Sequence, residues 1–275
     1  MDSAKVKSFV IALLLITNVF LFSIVAMDRM EAGAYESLTS ERLAAVIDRN
    51  GIILHEGVAL PPGMDKGYTM SRDMDGEKRM METVLGSTEV IDQGGNITVY
   101  LGEKGEARLS GSGEIFVVLA GGAVSSEADD RAEVAAEIAA IMGIETIGEA
   151  VVRSSSELET VLTLRCAAEG AEVINRELEF TFSADSLKII TGQRVPGISP
   201  REGQGGTADM ATVLVGLLEA AKKADVVCGE IIAMELCYKA SDSVSGTGEL
   251  SPFIKIITDA GNFFSDCKTG KTEMQ

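Results

Sequence analysis

Residues 88–120 read TEVIDQGGNITVYLGEKGEARLSGSGEIFVVLA. Four runs rich in β-branched and aromatic side chains stand between glycine clusters. That spacing predicts strands at Thr88–Asp92, Asn96–Gly102, Glu106–Ser110 and Glu114–Ala120. Gly94-Gly95, Gly105 and Gly111-Ser112-Gly113 supply the tight turns between them. Connections this short join antiparallel neighbours, so the stretch reads as a β-meander. A helix near Gly76–Leu85 precedes it.

The same order recurs twice downstream. Ser126–Met142 predicts a helix, with Ser126 and Asp129 as a capping box, Val134, Ile138 and Ile141 as the apolar stripe, and Gly143 as terminator. Strands follow near Thr146–Arg153, Glu157–Ala167, Glu177–Ser183 and Leu187–Val195. In the third, Leu178, Phe180 and Phe182 alternate with Glu177, Glu179 and Thr181, which marks one buried and one wet face. Pro196–Gly206 reads as a linker. Thr207–Ala224 is a further helix, with Met210, Leu214, Leu217, Leu218 and Ala221 inward. Glu230–Lys239, which should bury Ile232, Met234, Leu236 and Tyr238, Phe253–Thr258 and Asn262–Cys267 complete a third helix and meander. No strand–helix–strand alternation of the parallel kind is visible. Helices packed on one face of antiparallel sheets, an α+β fold, is the expectation.

Upstream, Ser8–Met27 reads SFVIALLLITNVFLFSIVAM without a charge. At about 1.5 Å per residue such a run spans roughly one hydrocarbon core, 30 Å. Lys5 and Lys7 precede it and act as topology determinants, which places the N-terminus in the cytoplasm and the rest outside the cell. A cleaved signal peptide is the competing reading, but the run exceeds the usual ~7–15 residue apolar region. Asn18 sits mid-span, where an amide needs a partner, which either its own helix backbone or a second transmembrane helix can provide. The expected division is a tail at 1–7, an anchor at 8–27, an N-terminal exterior region at 28–122 and a C-terminal one at 123–275. A helix is also expected over Thr39–Gly51, with Leu43, Val46, Ile47 and Asn50 on one face.

The chain carries 24 Lys and Arg against 42 Asp and Glu, a formal charge of −18. That excludes nucleic acid and anionic lipid head groups as natural ligands. Cys166, Cys228, Cys237 and Cys267 permit two bridges, or four buried thiols. None has CxxC spacing, so no redox or zinc site is suggested. His55 is the one histidine and has no nucleophile motif beside it, so it reads as a surface residue. Phosphate-loop, HExxH and GxSxG motifs are absent. The expectation is therefore no catalytic residue, no metal and no cofactor.

Met1-Asp2 with Lys5 and Lys7, then Leu15-Ile16-Thr17-Asn18-Val19-Phe20-Leu21, resembles the start of the YycH/YycI-type regulatory proteins of Gram-positive bacteria, the YycI branch by length. That family runs MDW-x-K-x-K and then LxxNxFL; Ser3 replaces its aromatic, while Asn18, Phe20 and Leu21 match. Leu60-Pro61 after Gly51-Ile52 also suits it. At the other end, Pro252, Phe253, Ile256, Gly261, Phe263, Phe264 and Gly270 look like the family's closing hairpin, P-x-W-x-I, G-x-Y-Y, T-G, which recurs in PepSY-like domains. Phe253 stands where tryptophan is usual. The resemblance implies tandem PepSY-like exterior units behind a single membrane span. It also implies a non-enzymatic accessory of a two-component sensor histidine kinase controlling cell-wall metabolism. Such a protein acts through the transmembrane residues Asn18, Phe20 and Leu21 and through exterior contacts, with a sister regulator as second partner. The alternative is an extracellular PepSY-like binding or protease-inhibitor module.

Overall fold

Leu178, Phe180 and Phe182 are fully buried, and the residues between them, Glu179 and Thr181, are not. This alternation belongs to one of the two longest strands of a sheet into which every described strand is joined. The structure, a computed structural model, describes residues 51–127, 130–156, 158–201, 208–242 and 247–274. In chain order the elements are β1 (Ile53–Leu54), β2 (Gly67–Ser71), α1 (Met74–Leu85), β3 (Thr88–Gly94), β4 (Ile97–Gly102), β5 (Gly105–Ser110), β6 (Glu114–Leu119), α2 (Arg131–Ile141), β7 (Thr146–Ser155), β8 (Glu159–Ala168), β9 (Ala171–Ser183), β10 (Ser186–Gln193), β11 (Gly197–Arg201), α3 (Met210–Lys223), β12 (Glu230–Asp242), β13 (Thr247–Thr258), β14 (Gly261–Asp266) and β15 (Thr272–Met274).

The principal strand path is β11-β2-β13-β12-β9-β10-β6-β5-β4-β3. From β9, β8 and then β7 branch off; β14 and β15 extend from β13, and β1 lies beside β12. Two halves share this sheet. In the first, β3-β4-β5-β6-β10-β9-β8-β7 run antiparallel, and α1 and α2 enclose one core with them around Tyr100, Phe180 and Phe182. In the second, α3 packs on β12, β13 and β14 around Leu217, Ile256 and Phe263. A small third core, built on the edge-to-face pair Tyr68 and Tyr238 with ring centroids 5.5 Å apart, joins the halves. There β9 runs on past β10 and pairs in parallel with β12, at Glu172 opposite Cys237 and Val173 opposite Tyr238.

α1 and α3 start where the chain supplies a cap. The Asp73 carboxylate accepts from Gly76 N at 2.9 Å, and that of Asp209 accepts from Thr212 N at 2.8 Å. Lys222 and Lys223 close α3 and complement its dipole. Gly216 lets α3 lie against the 268–272 turn. A β-carbon there would collide with the Gly270 carbonyl oxygen and stand 2.6 Å from Thr272 Oγ1.

The α+β expectation is overturned. Among the described residues the structure is mostly β, with 54% strand and 18% helix, in one large mixed sheet rather than tandem helix-and-meander units. The physical reason lies in edge pairing: β6 with β10, β9 with β12 and β2 with β13 fuse what local spacing alone would leave separate. The linker expected at Pro196–Gly206 contains β11, whose register on β2 sets Gly197 opposite Ser71. On α2 the buried face is Ala135 and Ala139, while Ile141 is exposed; the small residues let the helix approach the sheet. The Ser126 hydroxyl donates to the Glu127 carbonyl instead of capping that helix, and Asp129 is outside the described residues. On β12 a register shift between Ile231 and Ala233 buries Ile231 and turns Ile232 out.

The membrane placement is corrected too. Among the described residues no helix is long and apolar enough to cross a membrane, so a single-pass protein with an extracellular domain is unsupported. Ser8–Met27, with Lys5, Lys7, Asn18, Phe20 and Leu21, and the helix expected from Thr39, lie outside the described residues.

Candidate functional site

The sequence singled out His55 and the closing hairpin. His55 Nε2 bonds the Glu230 carboxylate at the surface, where β1 meets β12. The hairpin residues lie in and beside the second core. Ile256 pairs with Phe263 across β13 and β14, and both are fully buried, with Phe264 nearly so. Pro252 pairs with Tyr238, and Lys239 Nζ stands 5.5 Å from the Phe253 ring centroid. Gly261 opens β14, and Gly270 faces Thr212 of α3. These positions hold α3 to the sheet by packing. Among the described residues no group of three or more His, Cys, Asp or Glu could hold a metal ion.

All four cysteines are free and buried. Burial pushes the Cys166 and Cys267 thiols up to about 12, and raises Cys228 and Cys237 as well. A protonated, enclosed thiol is a poor nucleophile. Native protein should therefore resist iodoacetamide, take up four adducts once denatured, and show no mass change on reduction beforehand. Fast labelling of any thiol in the native state would contradict this geometry.

Two ionic clusters hold the halves together. The chain passes between halves twice, after β2 and before β11, and one glutamate of α1 grips both passages. Arg72 donates to Glu77 Oε2 from Nε at 2.9 Å and from Nη2 at 2.8 Å, and Arg194 Nη2 donates to Glu77 Oε1. Arg72 also reaches Thr98 Oγ1 and the Asn96 carbonyl. Burial lowers the Arg194 pKa, and Glu77 opposes that pull. Burial, then the neighbouring Glu77, raises the Tyr100 phenol. At the β9–β12 seam, the Asn175 side chain bonds the Ala240 backbone in both directions, at 2.8 and 2.9 Å. Arg176, almost wholly buried, donates to Asp242 and to Gln193.

Beside that seam, Glu172 accepts from Lys255 Nζ at 2.7 Å and Arg165 Nη1 at 3.1 Å. Burial pulls the Glu172 carboxyl upward, but the two cations outweigh it and leave the pKa below its usual value. A depressed carboxylate stabilises the fold above its unfolded pKa and loses that contribution as pH falls through the folded one. Stability should therefore drop on acidification below roughly pH 4.3, and Glu172→Gln should flatten that part of the profile. Urea midpoints measured from pH 7 to pH 3 check this; an unchanged slope in the variant would contradict it.

A further feature is the sheet face opposite α1 and α2. One cross-strand row crosses all eight strands of the first half: Ile91, Val99, Arg108, Phe116, Thr191, Glu179, Thr163 and Val151; Ile91, Arg108, Phe116 and Val151 are exposed, while Thr163 is buried where Arg153 bonds it. Their strand neighbours Tyr100, Ala107, Leu109, Ile115 and Val117 point the other way, into the core. At the middle of the row lies an open groove of about 500 Å³, lined by Ile97, Arg108, Ser110, Glu114, Phe116, Thr191 and Gln193 among others. Phe116 is 46% exposed there. No described residue forms a hydrogen bond or ion pair with Arg108. An exposed aromatic beside an unpaired guanidinium is the composition of a contact surface. Local reading did not find it. In Glu114–Leu119 both faces carry apolar residues, so nothing local shows which face stays bare.

No family model matches the chain, and no curated protein does. Among solved structures, an uncharacterized protein from Eubacterium rectale ATCC 33656 is similar at 11% identity and a TM-score of 0.46, over 76% of this chain and 86% of that one.

Proposed function

We propose that this chain is a regulatory accessory protein that works by binding another protein across the bare sheet face. What supports the reading is the row through Phe116 and Arg108, an eight-strand surface with helices on its opposite side only. The resemblance to YycH/YycI-type proteins names the partner to try first, a sensor histidine kinase or a sister regulator. A formal charge of −18 favours a partner with a basic surface, with association that slows as salt rises.

The test replaces Phe116 with a photo-crosslinking residue in the full chain, in its own host. Crosslinking to a sensor kinase or sister regulator is the expected outcome. Phe116→Ala should weaken that association by about 30-fold, near 2 kcal/mol for an aromatic anchor, and change folding stability by less than about 0.5 kcal/mol. A partner that binds equally well without Phe116 and Arg108 would remove the sheet face from the mechanism. Recovery of a protease instead would favour the inhibitor alternative.

A further inference from the structure

A second concavity lies apart from the Phe116 groove, in the seam between the halves. It encloses about 400 Å³. Ile147, Gly148, Arg165 and Glu172 form one wall, and Glu235, Leu236, Cys237 and Lys255 the other. Sites for small molecules favour such boundaries between packed units, and this volume falls within their usual range.

Its charges are unequally engaged. Glu172 is satisfied by Lys255 and Arg165. Lys255 is largely covered, and it lies opposite Glu235 in the β12–β13 register. Arg165 uses one of its five N–H groups on Glu172 and remains 43% exposed, so its other donors face solvent and the cleft. Its guanidinium lies against Gly148, where a β-carbon would stand 3.5 Å from Nη2. The missing side chain at this bulge of β7 keeps the mouth open. On the far wall Glu235 is exposed, and no described residue forms an ion pair or hydrogen bond with it. The cleft thus offers one cation with spare donors and one spare anion on opposite walls, lined besides by the Glu172–Lys255 pair and by small and apolar residues.

We propose that this cleft binds a small zwitterion, a free amino acid or a short peptide, whose carboxylate meets Arg165 and whose ammonium meets Glu235. The guanidinium fork suits a carboxylate, and Glu235 suits an ammonium. The volume admits one or two residues, and the walls ask for small side chains. The site goes beyond protein binding by the sheet face, since it is lined by other residues of β7, β8 and β9 together with β12 and β13, and involves neither Phe116 nor Arg108.

Calorimetric titration of the full chain with dialanine tests this. Saturable binding is expected. N-acetylated and C-amidated dialanine should each bind at least tenfold more weakly, because each lacks one of the two charges. Arg165→Ala and Glu235→Gln should each weaken dialanine about tenfold; Glu235 is exposed, so thermal unfolding of Glu235→Gln should stay near the parent's, while Arg165→Ala gives up the bond to Glu172 and should unfold somewhat lower. Phe116→Ala should leave dialanine binding unchanged, which separates this site from the sheet face. No saturable binding of dialanine, or binding indifferent to both blocked forms and both variants, would overturn the proposal.

Discussion

Replacing Glu77 with glutamine should lower the unfolding free energy by about 3–5 kcal/mol. The carboxylate is 2% exposed and answers two arginines that are themselves 12% and 9% exposed. An amide keeps the shape but removes the charge, so Arg72 and Arg194 would stay buried without compensation. Arginine cannot escape by losing its proton. The position adds to the cost, because these arginines stand at the two points where the chain passes between halves. Urea unfolding followed by circular dichroism measures the loss. Adding Arg194→Met to Glu77→Gln should recover part of it, since the two groups interact and their effects are not additive. A loss below about 1 kcal/mol would mean that water reaches the cluster and the ion pairs do little.

Phe180→Ala and Phe263→Ala should each cost about 3–5 kcal/mol, the usual range for emptying a filled aromatic site. Both rings are fully buried, one in the first core and one in the second. The instructive result is the shape of the curve. The parallel pairing of β9 with β12 covers two residue pairs, but the Asn175 bonds, the Glu172–Lys255 pair, the Arg176–Asp242 pair and the third core reinforce it. Both variants should therefore shift one common transition, seen alike by fluorescence and circular dichroism. Two separated transitions in Phe263→Ala would show that the halves unfold independently and that the seam is weak.

Local elements were legible where chemistry is local. The alternation Leu178, Phe180, Phe182 gave a true buried face, and the glycines of residues 88–120 marked turns that the structure contains. The architecture was not legible. Nothing near Tyr68 announces Leu250, its neighbour across β2 and β13, nor does Glu172 announce Cys237. Such pairings rest on complementary edges far apart in sequence, and their sum turned expected separate units into one sheet. Prolines disguised β11 as a linker: β11 pairs only with β2, so Pro200 sits in an edge strand, where a missing N–H is tolerated. On α2, Val134 and Ile138 do pack half-buried against the core, but the fully buried positions are Ala135 and Ala139 and Ile141 is exposed, because close approach to a sheet favours alanine. The groove at Phe116 was hidden for a related reason: which face of a doubly apolar strand stays bare depends on where the helices land.

The order of strands also bears on how the chain is made. β1 and β2 leave the ribosome first, yet their partners β11, β12 and β13 are among the last strands synthesised. At roughly 5–20 residues per second, Tyr68 waits on the order of 10–40 s for Leu250. Meanwhile residues 73–195 can complete all eight strands of the first half. Translation should thus produce a folded first half with an unpaired N-terminal ribbon, and that ribbon is the part a chaperone or protease meets.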